Sequence, residues 1–467
     1  MSEENGYTKD VEVMLGNPKK ALLAMAIPIV IANLVQSINN IIDTVWLTSI
    51  GVEAQAAVNV IFPIFFLTIG LGNGIGVGAS QALARRIGAG DRNGANQVAS
   101  QAFILTIVIS LIIAAVFLLS AEYLIEISGG ASNMDACMDY AIPIFVSVPA
   151  ILIGDTFSAL LRSEGAARRS MIIHVIGAGL NIILDPIFIF GLDMGVSGAA
   201  IATALSVTIP LALVVFWYFL RKDTFVRIPL RRFRFNVPLI WDILKVGIPA
   251  SLELVLMSVV MMSMNDIIDG ISPVDGVAIY GNSWKIIDLF LMPTMAIGFA
   301  IVPICAAALG AKKAHKIKEV YILAIKYGVA ICLMVSLIIL LSSQYLVIPF
   351  SYSEETMAIR DEMAYFLLIC AIFLPVCPLG YTSAGYFQSM GWGMRSLSCT
   401  VVLNFVRLPI CIYLGDTYGT LDAVWWGIVI AEFVGAFYGL GLGAYSLRKM
   451  LRGGYPKLIR KEDFIAD

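Results

Sequence analysis

The chain has 467 residues, of which 59% are apolar and only 14% are charged, and its mean hydropathy is +0.88. A water-soluble domain carries about 25% charged residues, so a soluble globular enzyme is excluded. The net charge of −2 provides no basic field for a nucleic-acid partner. Twelve membrane helices of about 20 residues would use roughly 240 residues. The composition therefore predicts a polytopic membrane protein.

Twelve apolar segments, each long enough to cross a bilayer as a helix, follow one another along the chain. They cover residues 20–45, 56–84, 97–120, 138–160, 170–191, 197–220, 240–264, 277–305, 319–342, 362–386, 396–414 and 423–447. The alternating pattern of a membrane β-barrel is missing from them. The sequence therefore predicts an all-α polytopic fold with twelve transmembrane helices.

Basic residues collect on one side of this predicted bundle. With twelve helices, 26 of the 31 Lys and Arg residues lie in the tails and in the loops of one side, whereas the opposite loops carry acids such as Glu53, Asp135 and Asp193. Basic loops remain in the cytoplasm. We therefore expect a multi-pass protein of the plasma membrane with both termini in the cytoplasm.

A weak internal repeat divides the chain into two halves. Residues 26–29 (AIPI) resemble 247–250 (GIPA), and residues 161–165 (LRSEG) resemble 387–391 (FQSMG). Four such matches have offsets between 221 and 226 residues. Because each half would contain six helices, both halves enter the membrane from the same side, and a pseudo-two-fold axis along the membrane normal relates them.

This repeat fixes the predicted domain organisation. A cytoplasmic tail covers residues 1–19, an N-lobe of six helices covers 20–220, and a basic linker covers 221–238. A C-lobe of six helices covers 239–450, and a second cytoplasmic tail covers 451–467. Transporters of this construction hold their substrate between the two lobes.

Ionisable residues inside membrane spans are costly and usually have a function. Asp43 lies near the end of the first span, whereas Asn181 and Asp185 lie one turn apart on one face of the fifth. Thr203 lies in the sixth span. Their oxygens could bind Na⁺ or a proton shared between the two acids. The alternative is that Asp185 only bonds backbone groups near Pro186.

The predicted cation site belongs to the N-lobe alone. The repeat aligns Asp43 with Met264 and Asp185 with Leu408, so the second half lacks both acids. Pro28 lies about four turns before Asp43 and removes a backbone hydrogen bond. It could allow a bend that responds to the protonation of Asp43, or it could produce a static kink.

Other intramembrane residues are weaker candidates for a function. Five glycines between Gly70 and Gly78 indicate close helix packing. The methionines of the seventh and eighth spans suit variable apolar ligands, although ordinary packing explains them equally well. They are Met257, Met261, Met262, Met264, Met292 and Met295.

The remaining charged residues of the spans are expected to be structural. Arg407 and Glu432 could form a pair, and His174 and His315 each stand alone. Five residues lie in or near helix ends, where they could reach the interface, and Asp155 is the strongest functional candidate among them. They are Asp155, Glu253, Lys285, Asp288 and Lys326. No catalytic or ATP-binding motif is present, so neither a cofactor nor ATP is expected.

Several segments together resemble the MATE (multidrug and toxic compound extrusion) family, and specifically its DinF-like prokaryotic branch. The most specific is NIILDPIFIFG at 181–191, followed by MGVSGAA at 194–200. The opening VEVMLGNPKK at 11–20 and the pair Asn40 and Asp43 also match. The resemblance covers essentially the whole chain. It implies secondary active export of amphipathic, often cationic compounds in exchange for H⁺ or Na⁺ by alternating access, with the monomer sufficient.

The resemblance also implies a set of site residues. Asp43, Asn181, Asp185 and Thr203 would form the cation site, with the Ala199 carbonyl as a further ligand. This chain departs from the family pattern at two further positions of the expected polar pocket. Asn39 stands where the branch often has Tyr, and Ser158 stands where it often has Asn.

Two other functions remain as alternatives to drug export. A flippase for a lipid-linked or amphipathic metabolite would need a basic cavity, and the spans offer few cations beyond Arg407, Lys285 and Lys326. An intramembrane enzyme would need a nucleophile or metal ligands beside the acids. The expected partners are therefore small amphipathic substrates and membrane lipids.

Overall fold

The computed structural model describes residues 7–229, 233–273, 275–350 and 357–452. Its regular elements are all helical over these ranges. In chain order the α-helices are α1 (Lys9–Leu15), α2 (Pro18–Ile50), α3 (Val52–Gly88), α4 (Arg92–Leu119), α5 (Ala121–Ile127), α6 (Met134–Ser163), α7 (Ala167–Pro186), α8 (Gly195–Thr208), α9 (Leu211–Val215), α10 (Val237–Asp269), α11 (Gly276–Gly310), α12 (Ala314–Leu346), α13 (Arg360–Phe373), α14 (Cys377–Ser389), α15 (Gly393–Tyr418) and α16 (Leu421–Leu451).

Twelve helical segments within the described ranges are long and apolar enough to cross a membrane. Each coincides with one of the predicted apolar segments, so the predicted fold class is confirmed. Four segments combine shorter helical pieces. A 3-10 turn, Ala131–Asn133, leads into α6. A π-helical turn, Ile187–Gly191, extends α7, α8 and α9 form one span that ends at Arg221, and α13 and α14 form another.

Polar residues set the beginnings of these apolar helices. The Asn17 side chain accepts hydrogen bonds from the backbone N–H groups of Lys19 and Lys20, and Pro18 occupies the first helical position of α2. Asp91 caps α4 in the same way, because its carboxylate accepts from the N–H of Gly94 at 2.9 Å. Each cap satisfies backbone donors that the lipid could not satisfy.

The described residues form two compact units. Unit 1 contains the chain as far as Ser251 and the segment Ala306–Lys312, and unit 2 contains Leu252–Cys305 and the chain from Lys313 onwards. The first half of α10 and the end of α11 therefore pack with the N-terminal helices. The chain passes between the units two residues after Pro249 and again two residues after Pro303. The predicted tail at 451–467 lies mostly outside the described residues.

Each unit has its own apolar core. In unit 1, α6 is the central helix and packs against α3, α4 and α8, while α2 packs against α7. In unit 2, the core contains a cluster of aromatic rings. The Tyr280 and Trp425 rings are stacked with centroids 6.0 Å apart, and the Phe366 ring lies 4.4 Å from Trp425.

The glycines of α3 allow two neighbours to approach closely. A Cβ atom on Gly72 would lie 2.9 Å from a carboxylate oxygen of Asp155 on α6. A Cβ on Gly78 would clash with the Ile243 carbonyl oxygen of α10, and Gly74 meets the same helix at Ser251. The glycine run therefore serves close helix packing, as the sequence predicts.

A buried ion pair joins α3 and α10 of unit 1. The Arg85 guanidinium of α3 binds the Asp242 carboxylate of α10, and their side chains are 4% and 0% exposed. Gln81 donates a hydrogen bond to the Asp242 carbonyl at 2.8 Å. Lys245 of the same helix is a second partner of Asp242. Removal of Asp242 would leave the Arg85 guanidinium buried without its counter-charge, and breaking a buried pair in this way typically costs about 3–5 kcal/mol.

The beginning of the linker is bound to unit 1 through Glu164. Its carboxylate accepts hydrogen bonds from the Tyr218 hydroxyl at 2.8 Å and from the backbone N–H of Phe225 at 2.7 Å. Nearby, Arg169 forms a two-point ion pair with Asp223. Burial raises the pKa of Glu164 to about 7, and the hydrogen bonds oppose this rise only in part.

We expect Gly78→Ala to lower the thermal stability of the protein. The added methyl group would force α3 and α10 apart, at a cost of about 1–3 kcal/mol. Gly441→Ala on α16 is the matched control, because no atom lies within 4 Å of its added Cβ, and we expect it to be neutral or stabilising. Melting measured by size-exclusion chromatography of heated samples checks this prediction. Equal melting temperatures for the two variants would contradict the close packing.

We expect docking of the segment after Arg221 to weaken as pH rises from about 4.5 to about 7. Release of this segment from unit 1 exposes Glu164 to water and returns its pKa to the ordinary value of 4.5, whereas the docked state holds this pKa near 7. Protonation therefore favours docking, and this contribution is lost as pH rises. Hydrogen exchange of residues 221–229, corrected for intrinsic rates, measures the effect. Glu164→Gln should remove it, and protection that increases with pH would contradict it.

Candidate functional site

The structure brings four of the predicted site residues into one polar network. The Asn39 amide of α2 donates to the Asn181 side-chain oxygen of α7 at 2.8 Å. The Asn181 amide in turn donates to Asp185 Oδ1 at 2.8 Å. The carboxyl groups of Asp43 and Asp185 also interact directly. The spacing of the residues explains this arrangement. Asn39 and Asp43 lie one turn apart on the face of α2 that meets α7, and Asn181 and Asp185 lie one turn apart on the face of α7 that meets α2.

The two carboxyl groups have no basic partner. No Lys or Arg forms an ion pair with Asp43 or Asp185 within the described ranges. Two oxygen atoms of the network, Asn39 Oδ1 and Asp185 Oδ2, are buried and lack a hydrogen-bond partner of good geometry. Within the described residues the site therefore has oxygen acceptors without donors and no basic side chain. This is the electrostatic character expected of a cation site.

The other predicted ligands lie on the adjacent helix α8, which packs against both α2 and α7. Ala199 is buried, and Thr203 follows it by one turn and is partly buried. Among the described residues, no hydrogen bond joins Thr203 to the acid pair. Tyr140 of α6, which sequence reasoning missed, is close enough to interact electrostatically with both acids.

Several predicted pocket residues lie elsewhere. Asn40 is exposed, whereas its neighbour Asn39 is buried, and Asn40 accepts a hydrogen bond from Gln36 at 3.4 Å. Pro28 is buried, and α2 continues through it as one helix. Met264 is completely buried in the core of unit 2, which leaves it no surface for a ligand in this conformation.

The other methionines differ in their exposure. Met257 and Met261 of α10 are about half exposed, and Met292 of α11 is partly buried. The geometry therefore leaves Met257 and Met261 accessible from outside unit 2. Their role in a substrate pocket stays a prediction.

A second buried polar cluster in unit 1 corrects the interpretation of His174 as an isolated residue. The Ser158 hydroxyl lies 2.8 Å from His174 Nε2 and 2.6 Å from the Ser170 hydroxyl. Arg162 donates to both serines at 3.2 and 3.1 Å and interacts with the buried Asp155. Asp155 therefore lies in the interior of unit 1 and does not extend to the interface.

The charged residues of unit 2 are neutralised differently. Arg407 and Glu432 form the predicted ion pair, with side chains 10% and 13% exposed. Glu253 lies inside α10 and accepts from the Gln388 amide at 3.3 Å, which corrects its placement at a helix end. No group of three or more metal-ligating side chains occurs among the residues that the structure describes.

Twelve membrane-spanning helices and a carboxyl pair within the spans of unit 1 are typical of a membrane transporter. The family model MatE matches residues 28–187 and matches again at residues 249–413. The chain belongs to this family, the MATE transporters, and is not an enzyme. The two matches begin 221 residues apart, which agrees with the internal repeat.

Known relatives extend over nearly the whole chain. The multidrug export protein MepA of Staphylococcus haemolyticus is 27% identical over 447 residues, which is 95% of this chain and 97% of MepA. The crystal structure of MATE in complex with MaL6 has a TM-score of 0.92 and 34% identity, and covers 95% of this chain and 100% of that chain.

In a further similar structure, the reverse polarity of the binding pocket suggests a different function of that protein. It is a MOP superfamily transporter from Pyrococcus furiosus, with a TM-score of 0.91 and 35% identity, and it covers 95% of this chain and 99% of its own.

We expect Asn39→Ala to destabilise the protein and Asn40→Ala to have little effect. The first change leaves the buried Asn181 oxygen without its donor, at a cost of about 1–3 kcal/mol, whereas Asn40 is exposed. The two asparagines are neighbours on one helix, so each variant controls for the other. Thermal melting of the purified proteins in detergent measures the difference. A larger loss for Asn40→Ala would contradict the network.

Proposed function

We propose that this protein is a secondary active multidrug exporter that exchanges amphipathic, often cationic compounds for H⁺ or Na⁺ by alternating access. The observation that carries the proposal is the Asp43–Asp185 pair, which is held in unit 1 without a basic partner. The relatives named as multidrug export proteins support the class of substrate. The family membership supports transport as the activity.

The acid pair needs a positive charge that the protein does not provide. Two adjacent carboxylates repel each other, and a charge inside the hydrocarbon core is costly unless it is paired. A proton shared by Asp43 and Asp185, or Na⁺ bound to their oxygens, would remove this cost. Asn181, Thr203 and the Ala199 carbonyl are the neighbouring oxygens that would complete a Na⁺ site.

Coupling follows if the two orientations of the transporter bind the cation with different affinity. In the outward-facing state the pair would take up a cation, and this would favour the rearrangement that expels the substrate. In the inward-facing state the pair would release the cation to the cytoplasm. α2 carries both Asp43 and Pro28, so a bend at Pro28 is the movement through which the site would act.

The distribution of charge supports the proposed orientation. Of the 31 Lys and Arg residues, 26 lie in the tails and loops of one side. We place that side, with both termini, in the cytoplasm of a cell whose plasma membrane contains the protein. The likeness to structures solved as single chains supports a monomer as the functional form.

Drug export is better supported than lipid flipping. A flippase for phosphate-bearing lipids would need free cations inside the spans. Arg407 is paired with Glu432, and Lys285 is exposed. The polar network of unit 1 contributes two acids and two amides, which attract cations and repel phosphate.

We expect Asp43→Asn to reduce gradient-driven efflux of a fluorescent lipophilic cation at least tenfold. The amide cannot bind and release a proton and carries no charge for Na⁺. Proteoliposomes with a pH gradient or a Na⁺ gradient, imposed separately, measure efflux and assign the coupling ion.

Asp139→Asn is the matched control, because Asp139 is an exposed acid of α6, and it should retain wild-type efflux. Normal export by Asp43→Asn would refute the role of the pair. If neither gradient drives efflux by the wild-type protein, drug export itself is refuted, and the flippase becomes the function to test.

A further inference from the structure

A shallow, largely open depression of about 340 Å³, called the groove below, lies along the first turns of α12 in unit 2. It is lined by His315, Lys318, Glu319, Ile322, Leu323 and Lys326. The spacing of these residues places them on one face of the helix. The groove therefore combines basic side chains with an apolar floor.

The positive charge of this groove is not neutralised within the protein. Lys318 and Lys326 are exposed, and neither forms an ion pair among the described residues. Glu319 is the acid of the lining, and it interacts electrostatically with Lys316, which lies outside the groove. Two ammonium groups thus remain available to an anionic ligand.

The position of the groove along α12 corresponds to the edge of the membrane. The helix has 33 residues and is therefore about 50 Å long, whereas the hydrocarbon core is about 30 Å thick. The first turns of α12 must then extend into the headgroup region. Lys326 is twelve residues from Ala314, and its flexible stem can bring the ammonium group back to the level of the headgroups.

An apolar stripe continues the same face toward the middle of the membrane. Leu333, Leu337 and Leu341 follow Lys326 at helical spacing, and they are 53%, 55% and 76% exposed. A charged groove with an exposed apolar stripe below it matches the shape of a phospholipid, with a phosphate at one end and acyl chains at the other. A free phosphate ion would use only the charged end.

We propose that this groove binds an anionic phospholipid. The phosphodiester lies against the ammonium groups of Lys318 and Lys326, and an acyl chain follows Leu333 and Leu337. The net positive charge selects an anionic headgroup over a zwitterionic one. This site is separate from the acid pair of unit 1, and its existence does not depend on which cation drives export.

The test is native mass spectrometry of the full-length protein in detergent, with phosphatidylglycerol or phosphatidylcholine added over a range of concentrations. The variant Lys318→Gln/Lys326→Gln removes the two groove cations. The matched control Lys312→Gln/Lys313→Gln removes two exposed lysines of the adjacent loop, which lie outside the groove lining. Both double variants change the net charge equally.

We expect the groove variant to bind phosphatidylglycerol about 25-fold more weakly, because each lysine near a membrane surface contributes about a factor of five. The loop variant should lose less than about threefold. An equal loss in both variants would refute the site, since it would mean diffuse attraction. Equal binding of phosphatidylcholine, or displacement of the lipid by inorganic phosphate at the same concentration, would refute lipid recognition. Efflux is not measured here, so each outcome is independent of the proposed export.

Discussion

The carboxyl groups of Asp43 and Asp185 lie together among membrane helices, and no Lys or Arg of the described residues pairs with either of them. Asp185 is completely buried and Asp43 is partly buried. Asn181 orients Asp185, and Asn39 orients Asn181, through hydrogen bonds of 2.8 Å each. These amides fix the position of Asp185 without neutralising its charge. The proposed coupling cation would supply the positive charge that the pair lacks.

The two halves of the repeat treat buried charge differently. Unit 2 pairs Arg407 with Glu432 and surrounds Glu253 with an amide and a hydroxyl. At the positions that the repeat aligns with the acid pair it has Met264 and Leu408, and Met264 is part of the apolar core. The two units therefore differ, because the acid pair of unit 1 has no basic partner among the described residues, whereas Arg407 and Glu432 of unit 2 pair with each other.

Hydropathy and charge placement predict the fold because lipid enforces long, apolar, self-bonded helices. The contact between Asn181 and Asp185 is equally predictable, because it lies within one turn of one helix. The surroundings of His174 are not, since its partner depends on how α6 and α7 pack. A sequence shows that His174 lies in an apolar span, but only the packed helices show that Ser158 of α6 lies 2.8 Å from its Nε2 atom.

The glycines of α3 alternate between two neighbours, since Gly72 and Gly76 face α6 whereas Gly74 and Gly78 face α10. Sliding or rotation of α3 by one residue would insert larger side chains into both contacts at once. A movement that preserves these contacts therefore has to displace this part of α3 together with α6 and α10.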